Sequence, residues 1–324
     1  MEDEKFPCVI VGAGKMGLLH GALANRHELL EVVGMVDSSF QSRMVAKGIG
    51  LKIPMFKNID SAIGATERGL AIICTPPNSH HPIIKKFLER NWAIFVEKPL
   101  TMKDEDSREL VDISSRGGAY TQVGFQLRFN PVISFIKGEM AEGSSWQGVP
   151  KKIDLAILSP QFIGVRNSSI GLKRGGIEWD LLPPIIDLSN HITGVKKIGE
   201  IEIVDADMSS WTYVRTKVLS RGIECNLIAD WACSEVRKVE LKGAIEFTGG
   251  EIIKFDSDRV WKDGSNEQLF HRRFGENPYF EVADQEYSTQ MEHLARSVLG
   301  STRAPAADFE AGLLVDEMIE RMGR

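Results

Sequence analysis

The stretch that decides the fold is Cys8-Val9-Ile10-Val11-Gly12-Ala13-Gly14-Lys15-Met16-Gly17-Leu18-Leu19-His20. Residues 8–11 read as a short strand covered on both faces, and they run directly into G-x-G-x-x-G, with a helical pattern over 15–26 beyond it. Each small residue has a physical task. Gly12 permits the tight turn, Gly14 lets the backbone approach a pyrophosphate, and Gly17 lets the helix pack close to the sheet. The helix start, with Lys15 and Met16, then offers N–H donors and the positive end of a dipole to phosphates. Asp37 ends the next apolar run, where such a fold places a ribose-binding carboxylate. A carboxylate there accepts ribose hydroxyls and repels a 2′-phosphate, so the expected cofactor is NAD, with NADP less favoured. Arg43 weakens that preference if it swings toward the ribose, and the plainer reading of Asp37 is a helix N-cap.

Working outward, strand-like runs at 8–11, 31–36, 70–75, 93–96 and 120–124 alternate with helical patterns at 15–26, 41–47, 81–90 and 104–116. This alternation predicts a doubly wound parallel sheet, a Rossmann domain over 1–125. After Phe129-Asn130-Pro131 the pattern changes. Longer runs with two-residue alternation at 201–204, 224–232 and 239–247, and turn signals at 249–250 and 263–264, predict an α+β domain over 126–324. Its sheet is expected to be open and mainly antiparallel. Residues 159–176, rich in Ser and Gly, read equally as a solvated loop or a mobile lid. Helices at about 279–299 and 308–321 close the chain, and the final one is allowed to pack on the first domain.

Of 324 residues, 43% are hydrophobic and 26% charged, and the net charge is −6. That balance argues against nucleic acid and anionic membranes as partners, which call for a basic face. Cys8, Cys74, Cys225 and Cys233 fit neither a zinc site nor a disulfide framework and read as buried reduced thiols, so no metal is expected. No signal peptide pattern and no membrane-spanning run is visible, which makes the cytoplasm the expected compartment.

Two further segments fall at the carboxyl edge of the predicted sheet, where ligands bind in open α/β folds. Cys74-Thr75-Pro76-Pro77-Asn78-Ser79-His80 is either a cofactor-side turn or a helix entry capped by Asn78 or Ser79. Glu97-Lys98-Pro99 ends the next strand. An ordinary strand-end lysine is solvated, but an X-Pro bond can be cis and could aim Lys98 inward. A lysine beside a cationic nicotinamide can exchange a proton with a substrate oxygen.

Gly12-x-Gly14-x-Met16-Gly17-x-x-His20, Thr75-Pro76-Pro77-x-x-His80, Glu97-Lys98-Pro99, and Gly124-Phe125 with Arg128-Phe129-Asn130-Pro131 occur in an order and spacing that resemble the glucose–fructose oxidoreductase/inositol dehydrogenase/rhizopine catabolism (Gfo/Idh/MocA) family. The resemblance implies a Rossmann domain followed by an α+β domain whose open sheet forms homo-oligomer contacts. It implies NAD(P)-dependent redox chemistry on sugars, cyclitols and polyols. Lys98 matches the family lysine, Thr75, Pro76, His80 and Glu97 lie along the cofactor, and Arg128 joins the substrate-binding residues.

The family's second-domain motif, D-x-G-x-H-x-x-D, is altered. Asp180 and Asp187 align, but Leu182 replaces the Gly and Pro184 stands where the proton-transferring His belongs. His191 lies about 10 Å further along a helix and four residues from Asp187, so a His191–Asp187 hydrogen bond is the plainer reading. Arg166, Lys173 and Arg174 either recognise a substrate carboxylate or phosphate or form a solvated basic loop. Trp179 either stacks on a sugar face or packs in the core. The leading expectation is an oxidoreductase in which Lys98 relays the proton, Asp180 positions the hydroxyl, and a small molecule sits between the domains under 159–176. The rival is a dinucleotide- or metabolite-sensing protein without turnover, favoured by Pro184.

Overall fold

Apolar residues without alternation form strands that must be covered on both sides. Val9, Ile10, Leu70 to Ile73 and Ile94 to Val96 are entirely enclosed. The structure is a computed structural model that describes residues 5–48, 53–141, 146, 148–160, 176–209, 212–265, 267–272, 285–300 and 304–323. It divides into two compact units, Met1–Phe125 with Tyr287–Leu313, and Gln126–Glu286 with Leu314–Arg324.

In the first unit the elements run β1 (Phe6–Val11), α1 (Lys15–Arg26), β2 (Leu30–Val36), α2 (Phe40–Gly48), β3 (Met55–Phe56), α3 (Ile59–Ile63), β4 (Leu70–Ile73), α4 (His80–Leu88), β5 (Ala93–Glu97), α5 (Asp104–Gly117) and β6 (Thr121–Gly124). The sheet order is β3-β2-β1-β4-β5-β6, and every pair is parallel. This is the Rossmann order, which reverses between β1 and β4 and opens a crevice at their carboxyl ends. The predicted strand at 70–75 is shorter, because Cys74 already turns away after its N–H bonds Val11 O at 2.7 Å.

The helix Gln285–Val298 returns to this sheet. The sequence reading assigns it to the second domain. The structure buries its Met291, Leu294 and Ala295 with Cys8, Ile10, Leu30, Met35 and Phe95. An i, i+3, i+4 apolar stripe needs a face to cover, and the first sheet supplies one. Each fully buried Leu, Ile, Phe or Met contributes about 1.5–3 kcal/mol. Further on, Ala307 O accepts from Val123 N at 2.8 Å and Phe309 N donates to Thr121 Oγ1.

The second unit holds α6 (Pro131–Ala141), β7 (Pro150–Leu158), helices Ile177–Asp180 and Leu182–Thr193, and strands β8 (Ile201–Asp207), β9 (Tyr213–Ser220), β10 (Ile223–Asp230), β11 (Glu240–Phe247), β12 (Ile252–Asp256), β13 (Arg259–Lys262) and β14 (Gln268–His271). Sheet order is β14-β13-β12-β11-β7-β10-β9-β8. All neighbours are antiparallel except β7 and β10, which are parallel. Alternation selects the faces. Ile153, Leu155, Val218, Cys225, Leu227, Ile245 and Ile253 are buried. The helix Leu182–Thr193, buried along Ile185, Ile186 and Leu188, packs on β7, β9 and β10.

Candidate active site

The phosphate-binding turn has the shape its glycines require. A Cβ on Gly17 would lie 1.7 Å from Gly12 O, and one on Gly12, at φ +102°, would lie 2.8 Å from Cys74 O. At Gly14 the space is open. No side chain caps α1 at Gly14, so its first N–H groups face outward for an anion. Asp37 is not the cap of α2. Its Oδ2 accepts from Ala13 N and its Oδ1 from Ser39 N, both at 2.8 Å, which ties the end of β2 to the glycine turn. Arg43 Nη1 donates to Asp37 O at 2.6 Å and Ser38 O at 3.0 Å, with its guanidinium over the Phe40 ring. This engagement holds the guanidinium on the loop backbone. Open backbone at Gly14, an uncapped helix and a carboxylate ending β2 fit a dinucleotide.

The edge of β5 carries Lys98. Residues 94–100 are buried except Lys98, which is half-buried, and the Lys98-Pro99 bond is cis. Glu97, only 8% exposed, accepts from His20 Nε2 at 2.7 Å through Oε1 and from Lys98 N at 3.3 Å through Oε2. Gly124 of β6 faces this carboxyl: a Cβ there would sit 3.3 Å from the Glu97 carboxyl carbon and 3.1 Å from the Phe95 ring. A larger residue would push Glu97 off its backbone contact.

Thr75 is half-buried and Pro76 exposed, and Ser79 Oγ donates to Thr75 Oγ1 at 2.9 Å. His80 is different. The sequence reading set it along the cofactor, but its ring is wholly buried and both nitrogens meet carbonyl oxygens, Pro99 and Leu100 at Nδ1 and Thr75 at Nε2. Such a ring has no surface left for a ligand, and it holds the two loops from behind. Burial pushes the Cys8 thiol up to about 12 and that of Cys74 well above its ordinary value, so neither is a ready nucleophile.

In the second unit, Gly176, at φ +87°, opens the short helix that ends on the half-buried Asp180 beside half-buried Trp179. Prolines in the first turn of Leu182–Thr193 suit a position whose N–H has no helical partner, and Pro184 is buried. The expected His191–Asp187 pair is corrected. Asp187, 1% exposed, is gripped by Arg128, Nε to Oδ2 at 2.9 Å and Nη2 to Oδ1 at 2.6 Å. A guanidinium fork matches a carboxylate better than one ring nitrogen does, so Arg128 takes the site. Burial, Arg128 and Lys137 together push the His191 pKa down to about 3, and the ring is neutral. Lys137, which the sequence reading did not single out, donates from Nζ to His191 O at 2.8 Å. Arg166, Lys173 and Arg174, with most of the 159–176 segment, lie outside the described residues.

On the exposed face of the second sheet, Asp154, Asn226, Lys242, Lys254, Arg259 and Trp261 line a hollow of about 510 Å³. Among the described residues no group of three or more His, Cys, Asp or Glu is arranged to hold a metal, and no helix is long and apolar enough to cross a membrane.

Residues 6–125 match the oxidoreductase family with the NAD-binding Rossmann fold, GFO_IDH_MocA. The match is confined to the Rossmann domain, and residues 6–125 are similar to that of the Gfo/Idh/MocA family. The rhizopine catabolism protein MocA of Rhizobium meliloti is 29% identical over 139 residues, 43% of each chain. The inositol 2-dehydrogenase of Rhizobium meliloti strain 1021 is 27% identical over 191 residues, 59% of this chain and 56% of the relative. The matched stretches thus span about half the length of these curated relatives. Among solved structures, the WlbA dehydrogenase of Bordetella pertussis in complex with NADH and UDP-GlcNAcA superposes with a TM-score of 0.80 at 15% identity, covering 100% of this chain and 96% of that one. That likeness covers the fold of both units.

Proposed function

We propose that the chain is an NAD-dependent dehydrogenase of small polyhydroxylated molecules, with Lys98 as the proton relay. The observation that carries this reading is the setting of Lys98, the one half-buried residue in an enclosed run at the ligand-binding edge of an NAD-family Rossmann unit. Nicotinamide, when bound, supplies a ring carbon that takes or gives a hydride. The protein's part is to hold the dinucleotide through Gly12, Gly14 and Asp37 and to manage the hydroxyl proton. In alcohol oxidation Lys98 Nζ would take the hydroxyl proton of the substrate, and in the reverse direction it would return it. Glu97 fixes the Lys98 backbone. Relatives named for inositol and a structural neighbour holding a UDP-sugar support a cyclitol or sugar-like substrate.

We assign the protein to the cytoplasm and to a homo-oligomer built on the exposed face of the second sheet, where alternating Lys and Asp residues offer self-complementary charge. A sensor without turnover is the second reading. It is favoured by Pro184, a buried residue with no proton to exchange at the position of the family His. Reduction of NAD by a panel of cyclitols, sugars and polyols, followed at the reduced-nicotinamide absorbance, separates the two. Turnover that disappears in Lys98→Ala supports the dehydrogenase; tight NADH binding with no turnover supports the sensor.

A further inference from the structure

Two buried histidines bracket Lys98, and their hydrogen-bond inventories differ. His20 meets one acceptor among the described residues: Nε2 reaches Glu97 Oε1 at 2.7 Å, and Nδ1 is buried with no partner among them. One proton, on Nε2, satisfies that ring. His80 meets acceptors on both sides. Nδ1 lies 3.0 Å from Pro99 O and 3.2 Å from Leu100 O, and Nε2 lies 2.9 Å from Thr75 O. A carbonyl oxygen has only lone pairs to offer, and a neutral imidazole carries a single N–H. In either neutral tautomer one ring nitrogen would therefore press a lone pair against a carbonyl oxygen inside a fully buried site.

We propose that His80 is a doubly protonated positioning residue, donating to the Thr75 carbonyl from one side and to the Pro99 and Leu100 carbonyls from the other, so that it fixes the Lys98 turn to the Thr75 turn. The carbonyls belong to the loops after β4 and β5, and Lys98 immediately precedes Pro99. A shift of either loop moves the Lys98 amine. Charge-assisted bonds are roughly twice as strong as neutral ones, and here they replace an acceptor-against-acceptor contact. Burial lowers the His80 pKa by more than the three carbonyl contacts and the Glu97 charge raise it; the second proton rests on the carbonyl oxygens that face both ring nitrogens. On α4, His81 and Lys85 both face away from this cluster's carbonyls and are bound to Glu109 of α5. Cys74, held as a thiol by burial, adds no charge.

The test is the ring nitrogen spectrum of protein labelled with 15N-histidine, with the His80 signals assigned by their loss in His80→Gln or His80→Asn. At about pH 7.5, where an unperturbed imidazole is mostly neutral, both His80 nitrogens are expected to carry protons. An unprotonated nitrogen signal from His80 at that pH overturns the proposal. The kinetic arm alone rests on the dehydrogenase reading. There His80→Gln is expected to lower kcat about tenfold while NADH affinity stays within about twofold, because the lysine is misplaced and the dinucleotide turn is not. Unchanged kcat, or equal loss of kcat and NADH affinity, contradicts a positioning role. If wild type turns over no substrate, the dehydrogenase reading falls, and the ring spectrum still decides the proton count of His80.

Discussion

Arg128 and Asp187, 59 residues apart in sequence, form a two-pronged ion pair in the second unit, with Nε to Oδ2 at 2.9 Å and Nη2 to Oδ1 at 2.6 Å. The Asp187 carboxyl is 1% exposed, and burial pushes its pKa up against the pull of Arg128. Arg128→Met would strand that carboxyl, and a loss of about 3–5 kcal/mol in urea unfolding of the second unit is expected. Arg128→Lys should recover only part of it, since an ammonium cannot form the fork. Full recovery by Lys would show that charge alone matters.

His191 gives the pH dependence a sign. Its folded pKa is about 3, while an unfolded histidine titrates near 6.5. Between those values the unfolded chain binds a proton that the folded one refuses, so stability rises with pH through that window and is lost as pH falls. The penalty on acidification is a few kcal/mol at most, about 1.4 kcal/mol per unit of pKa difference. His191→Asn should flatten the change in melting temperature between about pH 6.5 and pH 4. A slope equal to that of wild type would assign the acid sensitivity elsewhere.

The glycine turn separates folding from binding. Gly17→Ala drives a Cβ into Gly12 O and should destabilise the first unit or abolish its folding. Gly14→Ala has open space and a φ of −78°, so its melting temperature should stay close to wild type. NADH affinity should nevertheless fall about tenfold or more, because the methyl group stands where the backbone meets a pyrophosphate. Normal NADH binding by Gly14→Ala would place the phosphates elsewhere.

Asp37→Ala removes the anchor of the Ala13 and Ser39 N–H groups and the charge that repels a 2′-phosphate. Fluorescence titration should show NADH affinity reduced about tenfold and the gap to NADPH narrowed. A wild type that prefers NADPH would contradict this role and direct attention to Arg43.

The Rossmann half was legible because its signals are local. The strand, the glycine turn and the helix fall within 6–26, and Asp37 ends the next strand. β3 has only Met55–Phe56, too short to show a pattern. In the second unit the alternating strands were visible, but the parallel pairing of β7 with β10 depends on a long crossover that no local pattern records. Long-range partners were equally hidden. The four-residue spacing of Asp187 and His191 suggested one pair, and Arg128, from a distant turn, made another. His80 looked like a ligand contact because its motif lies at the sheet edge; its acceptors Pro99 and Leu100, 19 and 20 residues on, turned the ring inward.

The most direct test of the account is NAD reduction by the cyclitol, sugar and polyol panel, measured for wild type and Lys98→Ala at equal NADH occupancy. The account predicts turnover by wild type on at least one panel member and a loss of about a thousandfold in Lys98→Ala, with NADH affinity nearly unchanged. Equal turnover by the two proteins would remove Lys98 from the chemistry, and binding of NADH without turnover by either would establish the sensor instead.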